Sequence, residues 1–183
     1  MMERRRLVLA VLAALMLWIA PMHAVLVVPM TFEQLVAESV AVIYVRVASV
    51  RGQWTTDRRF IDSLVTLEPL RYLKGDLGGE VVMRLPGCEA GGVINVIPGA
   101  PVVRDGDLLV IFLGSRGPAI PSPLGLGQGI FRVVRDPASG GMRVTPPPLR
   151  ASEAGRILRG ADGRRVLTLD AFAAAVRDAG SAR

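Results

Sequence analysis

Histidine and cysteine are almost absent from this chain, with one of each in 183 residues, His23 and Cys88. His23 falls in an N-terminal segment that reads as an export address, so the mature chain is expected to carry no imidazole. That excludes Ser-His-Asp and Cys-His catalysis, histidine-based acid–base chemistry and every His-ligated zinc site. A single cysteine also excludes an intrachain disulfide in any compartment. Cys88 could serve as a nucleophile or pair with a second chain. With no base to generate its thiolate, the favoured reading is a small residue in a glycine-rich loop. Lysine is equally scarce: Lys74 is the only one, and the remaining positive charge is arginine. The arginines are scattered, and Arg58-Arg59 and Arg164-Arg165, the longest runs after the N-terminal one, lie beside acidic residues. Aromatics make up 5% of the chain and do not interleave with a basic cluster, so a nucleic-acid partner is not expected. No cofactor and no metal is expected either.

Long hydrophobic runs are missing too. The longest, Leu7 to Ala20, is shorter than the roughly 20 residues a transmembrane helix needs. Arg4, Arg5 and Arg6 precede it, and Pro21 and Met22-His23-Ala24 follow it. That order is a secretory signal peptide over residues 1–24, cleaved after Ala24. The alternative is an uncleaved anchor continuing through Val25-Leu26-Val27-Val28. On the favoured reading the protein is periplasmic or extracellular, with no stable membrane span after cleavage. Cleavage removes three arginines and Glu3, lowering the net charge of +6. The remainder is long enough for one domain with a sizeable core, over residues 25–149, followed by a tail over 150–183.

What is present is strand pattern. Thr31 and Gln34 form a capping box, with Met30 and Leu35 at the positions of a hydrophobic staple, so a short helix starts at Phe32. Val40 to Val50 is rich in β-branched residues, with Ile43, Val45 and Val47 on one face and Tyr44 and Arg46 on the other. Phe60 to Leu70 alternates Ile61, Val65 and Leu67 with Asp62, Thr66 and Glu68, and Glu80 to Leu85 repeats the pattern with Val81, Met83 and Leu85. Leu73 to Asp76 and Asp105-Gly106 read as turns. Leu108 to Leu113 is a continuous apolar run that makes sense only if both its faces are covered, one of them by a helix. Ile130 to Val134, with Arg132 outward, and Met142 to Val144 complete the strands before Pro146-Pro147-Pro148 ends the sheet. In the tail, Thr168 caps a helix over Leu169 to Ala179, with Gly180 at its end. The fold class expected is mainly β, a small OB-like antiparallel barrel with a short N-terminal and a C-terminal helix.

Four segments follow one pattern: Thr31-Phe32-Glu33-Gln34-Leu35, Ser39 to Val47, Val65 to Gly75 and Gly106 to Leu113. Over roughly residues 31–134 the chain resembles a family of uncharacterised exported bacterial proteins. More distantly it resembles netrin-type modules, which include the inhibitory domain of tissue inhibitors of metalloproteinases. The resemblance implies an OB-like barrel and carries no functional residue across. The inhibitors' N-terminal zinc-chelating cysteine and disulfide framework have no counterpart in a chain whose expected mature start is Val25.

The chemistry-bearing candidates are few. Gly87 to Gly92 and Gly125 to Gly129 could be loops where a ligand approaches the backbone, but neither has a P-loop setting, and loop geometry is favoured. The carboxylates are Asp57, Asp62, Glu68, Asp105 and Asp107, of which Asp105 and Asp107 flank the Gly106 turn. No residue is assigned as catalytic, cofactor-binding or metal-ligating. The favoured function is an exported non-catalytic binding or interaction module, using a loop edge or its C-terminal helix on an envelope or extracellular protein or glycan. The alternative is a hydrolase using carboxylates such as Glu68 and Asp62.

Overall fold

The computed structural model describes residues 29–97, 99–115, 119–147 and 165–181. The signal-peptide reading and most of the polar tail lie outside the described residues. The elements are α1 (Phe32–Glu38), β1 (Ala41–Trp54), β2 (Ile61–Lys74), β3 (Val81–Pro86), β4 (Cys88–Ala90), β5 (Val93–Asn95) and β6 (Leu108–Gly114). They continue with β7 (Ser122–Pro123), β8 (Ile130–Arg135), β9 (Met142–Thr145), β10 (Leu167–Thr168) and α2 (Leu169–Ser181). The protein is mainly β. Its main sheet is antiparallel, in the order β10-β9-β8-β6-β1-β2-β3, with β7 also pairing with β6. The sheet curls: the Arg84 amide of β3 donates to the Pro121 carbonyl beside β7 at 2.9 Å.

Two apolar clusters share this sheet. Ile43, Val45 and Val47 of β1 meet Val65, Leu67, Val81, Met83, Leu85, Leu109, Ile111 and Leu113 on the inner face of the curl. On the outer face, Val42, Tyr44, Val110, Phe112, Phe131 and Val144 are covered by Leu35 and Val36 of α1 and by Phe172 and Val176 of α2. The segment expected to be buried on both faces is so: residues 109–113 of β6 are all fully buried. Both helices cover it. Phe112 lies 5.8 Å from Phe32, 5.4 Å from Phe131 and 6.1 Å from Phe172, ring centroid to centroid.

The helix ends obey their local signals. The Gln34 amide donates to Thr31 Oγ1 at 3.2 Å, and the Thr31 amide donates to Gln34 Oε1 at 2.7 Å, completing the capping box. The C-terminal helix is capped by Thr168, whose Oγ1 accepts from the Ala171 amide at 3.2 Å. Gly180 does not end it. The helix runs on to Ser181, and a Cβ on Gly180 would stand 3.9 Å from Val36 Cγ1, so the glycine sits against α1.

β1 and β2 extend further than alternation indicates. β2 passes through Pro69 to Lys74 because the pairing with β1 is irregular between Tyr44 and Val45, where a proline without an amide hydrogen is tolerated. A second irregularity, between Val47 and Ser49, shifts the face of β1 by one residue. Beyond it Val50 packs on the inner core and Gly52 faces the β4–β5 hairpin. A Cβ on Gly52 would sit 2.0 Å from the Glu89 carbonyl oxygen and 3.3 Å from Cys88 Sγ. The small hairpin therefore lies directly across the far end of β1 and β2. Ser63 Oγ donates to the Gly87 carbonyl at 2.6 Å, and the Gly87 amide donates to the Ile61 carbonyl at 3.0 Å, fastening it there.

Candidate functional site

Of the five carboxylates singled out in the sequence, all but Asp105 are engaged in structure. Asp62 of β2 faces Arg84 of β3 at 3.7 Å, and Glu68 of β2 faces Arg46 of β1 at 3.6 Å. They stand six positions apart on one strand, roughly 20 Å at strand rise. Glycosidase carboxyl pairs stand roughly 5–9.5 Å apart, so Asp62 and Glu68 do not form such a pair. Asp107 Oδ2 accepts from the Arg104 amide at 3.0 Å and from Arg132 Nη1 at 3.1 Å. Arg132 points outward as expected, but its Nη2 also donates to the Val102 carbonyl at 2.7 Å, so it clamps the 102–107 loop instead of standing free. Asp105 is exposed in the turn, where Gly106 takes φ 83°.

Both glycine clusters have geometric roles. Gly91 (φ 60°) and Gly92 (φ 76°) form the left-handed two-residue turn between β4 and β5. In the second cluster the buried Gln128 side chain lies under Gly125, and its Oε1 accepts from the Met30 amide at 2.9 Å. Cys88 is half-buried, in β4 against Gly52. Among the described residues no group of three or more His, Cys, Asp or Glu side chains is placed to hold a metal ion.

The aromatic residues separate one region from the rest. Four of the chain's five phenylalanines, Phe32, Phe112, Phe131 and Phe172, meet in a single cluster on the outer face. Tyr44 is buried beside them, and Tyr72 packs on the inner core with its hydroxyl donating to the Gly78 carbonyl at 2.7 Å. Among the described residues, the aromatics in neither core are Trp54 and Phe60, the latter 52% exposed. They stand at the two ends of the β1–β2 connection.

That connection is a firmly bonded turn. The Thr55 amide donates to the Phe60 carbonyl at 2.9 Å and the Arg58 amide to the Thr55 carbonyl at 2.8 Å. Thr55 Oγ1 donates to Asp57 Oδ1 at 2.6 Å, and the Arg59 amide reaches the same oxygen at 3.3 Å. The Thr55 hydroxyl first, then the Arg59 amide, hold the Asp57 carboxyl below its ordinary value of 3.8. Arg58 occupies the left-handed region at φ 54°, a position that favours glycine or asparagine.

The β4–β5 hairpin brings further apolar surface to the same end, with Ile94 67% and Val96 77% exposed and Val93 beside them. Trp54, Phe60, Val93, Ile94 and Val96 thus share one end of the molecule with the exposed Arg51, Arg58 and Arg59. Alternation does not reveal this surface, because it depends on β4–β5 folding back across β1. The available signal is local: Trp54 and Phe60 bracket Thr55-Thr56-Asp57-Arg58-Arg59, an aromatic at each end of a polar turn. Comparison with protein-family models, with curated proteins and with solved structures found no match to this chain.

Proposed function

We propose that this chain is an exported, non-catalytic interaction module of the bacterial cell envelope or extracellular space. Its contact surface is the end formed by the β1–β2 turn and the β4–β5 hairpin. The observation that carries the reading is that Trp54, 38% exposed, and Phe60, 52% exposed, are the described aromatics outside both cores and flank one turn. A large ring left in water at a firmly bonded turn forgoes the burial its area offers, and clustered exposed apolar side chains mark contact sites. The scaffold is an OB-like barrel on this reading. Support comes from the path β1–β2–β3–β7–β6–β1, in which β3 meets β7 through the Arg84–Pro121 bond. It fits a five-stranded, partly open Greek-key barrel. Export rests on the charged start, short apolar core and Met22-His23-Ala24 ending.

The test is a photo-crosslinking residue placed at Phe60 or Ile94 in cells making the protein, with Val40 as control. Val40 is exposed and apolar but precedes β1, the length of that strand away. Adducts at positions 60 and 94 and not at 40 are expected. Adducts at 40 alone, or none, would remove the reading.

A further inference from the structure

Building on that contact surface, we propose that its partner is a membrane surface bearing anionic lipid. Arg51, Arg58 and Arg59 meet lipid phosphates while Trp54, Phe60 and Ile94 enter the headgroup layer.

Five arginines elsewhere are matched to carboxylates, Arg46 to Glu68, Arg71 to Asp170, Arg84 to Asp62, Arg132 to Asp107 and Arg143 to Asp136, whereas among the described residues Arg104, Arg135, Arg165 and Arg177 are not. Among the described residues, Arg51, Arg58 and Arg59 make no ion pair. The acid nearest them in sequence, Asp57, is turned into its own loop by Thr55 and the Arg59 amide. Asp62, opposite Gln53 at this end, is taken by Arg84, and Glu89, exposed on β4 opposite Ile94, is the remaining carboxylate here. Three guanidinium groups stand here against Asp57 and Glu89, leaving one positive charge in excess, and a surface of phosphates complements it.

Arg58 holds a conformation in which glycine is less strained, and its side chain makes no hydrogen bond among the described residues. The turn's backbone bonds hold it there, the Arg58 amide donating to the Thr55 carbonyl at 2.8 Å, and leave the guanidinium outside them. The apolar side chains are carried at the end of β1, on β5 and beside the β1–β2 turn, together with arginine. Aromatic rings and guanidinium groups both favour the interfacial zone of a bilayer, where ring and phosphate lie at one depth. Among the described residues no helix is long and apolar enough to cross a membrane, so the attachment proposed is peripheral.

The experiment uses the chain starting at Val25. Every described element and both cores lie within residues 29–181, so this form retains the whole described structure. Of the chain's two tryptophans, Trp18 and Trp54, only Trp54 remains, and it sits in the proposed contact. Vesicles of phosphatidylcholine containing about one-third phosphatidylglycerol should shift Trp54 emission to shorter wavelength and shield it from acrylamide, whereas phosphatidylcholine alone should not. Arg58→Gly with Arg59→Ser should weaken partitioning about 30-fold, and about 0.5 M salt should release the protein. Phe60→Ser with Ile94→Ser should abolish the emission shift at an unchanged denaturation midpoint, since both positions are exposed.

Unmoved Trp54 emission with anionic vesicles overturns the proposal, as does binding indifferent to loss of both arginines. If vesicles leave Trp54 unmoved while position 60 crosslinks to a protein, the membrane proposal falls and the contact-surface reading stands.

Discussion

At the scale of single residues, the chain's only lysine has a structural task. Lys74, at the end of β2, donates from Nζ to the carbonyls of Val36, Ala37 and Ser39, the last at 2.6 Å. A seven-residue helix ends there with no basic residue in its own last turn, so a cation delivered from β2 satisfies orphan carbonyls and opposes the dipole. Lys74→Met should destabilise the protein by about 2 kcal/mol in chemical denaturation. Asp136 makes a prediction about pH. Its carboxyl is held below 3.8, first by the Ser139 hydroxyl, then by the Ala138 amide, with Arg143 at 2.9 Å adding attraction. A folded value below the unfolded one stabilises the protein above the unfolded value, and the contribution is lost as pH falls through the folded one. The stability gap between the wild type and Asp136→Asn should therefore be present near pH 7 and narrow below about pH 4. A gap that is constant across that range would show that the lost charge is not its cause.

At the scale of elements, the β4–β5 hairpin depends on a single absent side chain. The Glu89 carbonyl stands where a Cβ on Gly52 would be, and backbone cannot give way as a flexible side chain can. Gly52→Val should cost about 1–3 kcal/mol, as overpacking does, by lifting the hairpin. Cys88 reports the event directly, since its sulfur lies beside Gly52. Its reaction with a thiol reagent should accelerate in the variant under native conditions. Unchanged reactivity together with an unchanged midpoint would mean the hairpin is not seated on Gly52. The C-terminal helix is likewise defined by what it covers. The Arg71–Asp170 pair at 2.9 Å is largely solvent-exposed and contributes little, so burial of Phe172 and Val176 holds α2 on the sheet.

At the scale of the whole molecule, one sheet serves two cores, and Phe112 stands in the outer one while its neighbours Ile111 and Leu113 serve the inner. Phe112→Ala should cost about 3–5 kcal/mol in denaturant. Ending the chain after Pro147 would remove α2 and uncover Phe112 and Phe131 together. That form should lose its cooperative transition and bind a hydrophobic dye. A truncated chain with an unaltered midpoint would show that the outer core does not need α2.

Local patterns in the sequence determined a great deal: the capping box at Thr31, the Thr168 cap, the alternation of Val81, Met83 and Leu85, and the double burial implied by Leu108 to Leu113. Each rests on neighbours within a few residues, where backbone geometry dictates which side chains share a face. The tertiary structure alone decided the rest. The pairing of Asp62 with Arg84 and Glu68 with Arg46 depends on strand register, and register joins residues far apart in the chain. The passage of β2 through Pro69 and the change of face after Val47 follow from irregularities that only the partner strand reveals. The exposed end is the clearest case. Trp54 looks like another strand residue until its inner face is seen to run past the core, and Ile94 looks like loop until β4–β5 crosses Gly52. Exposure is a property of what fails to cover a side chain, and covering is a long-range event that no local spacing encodes.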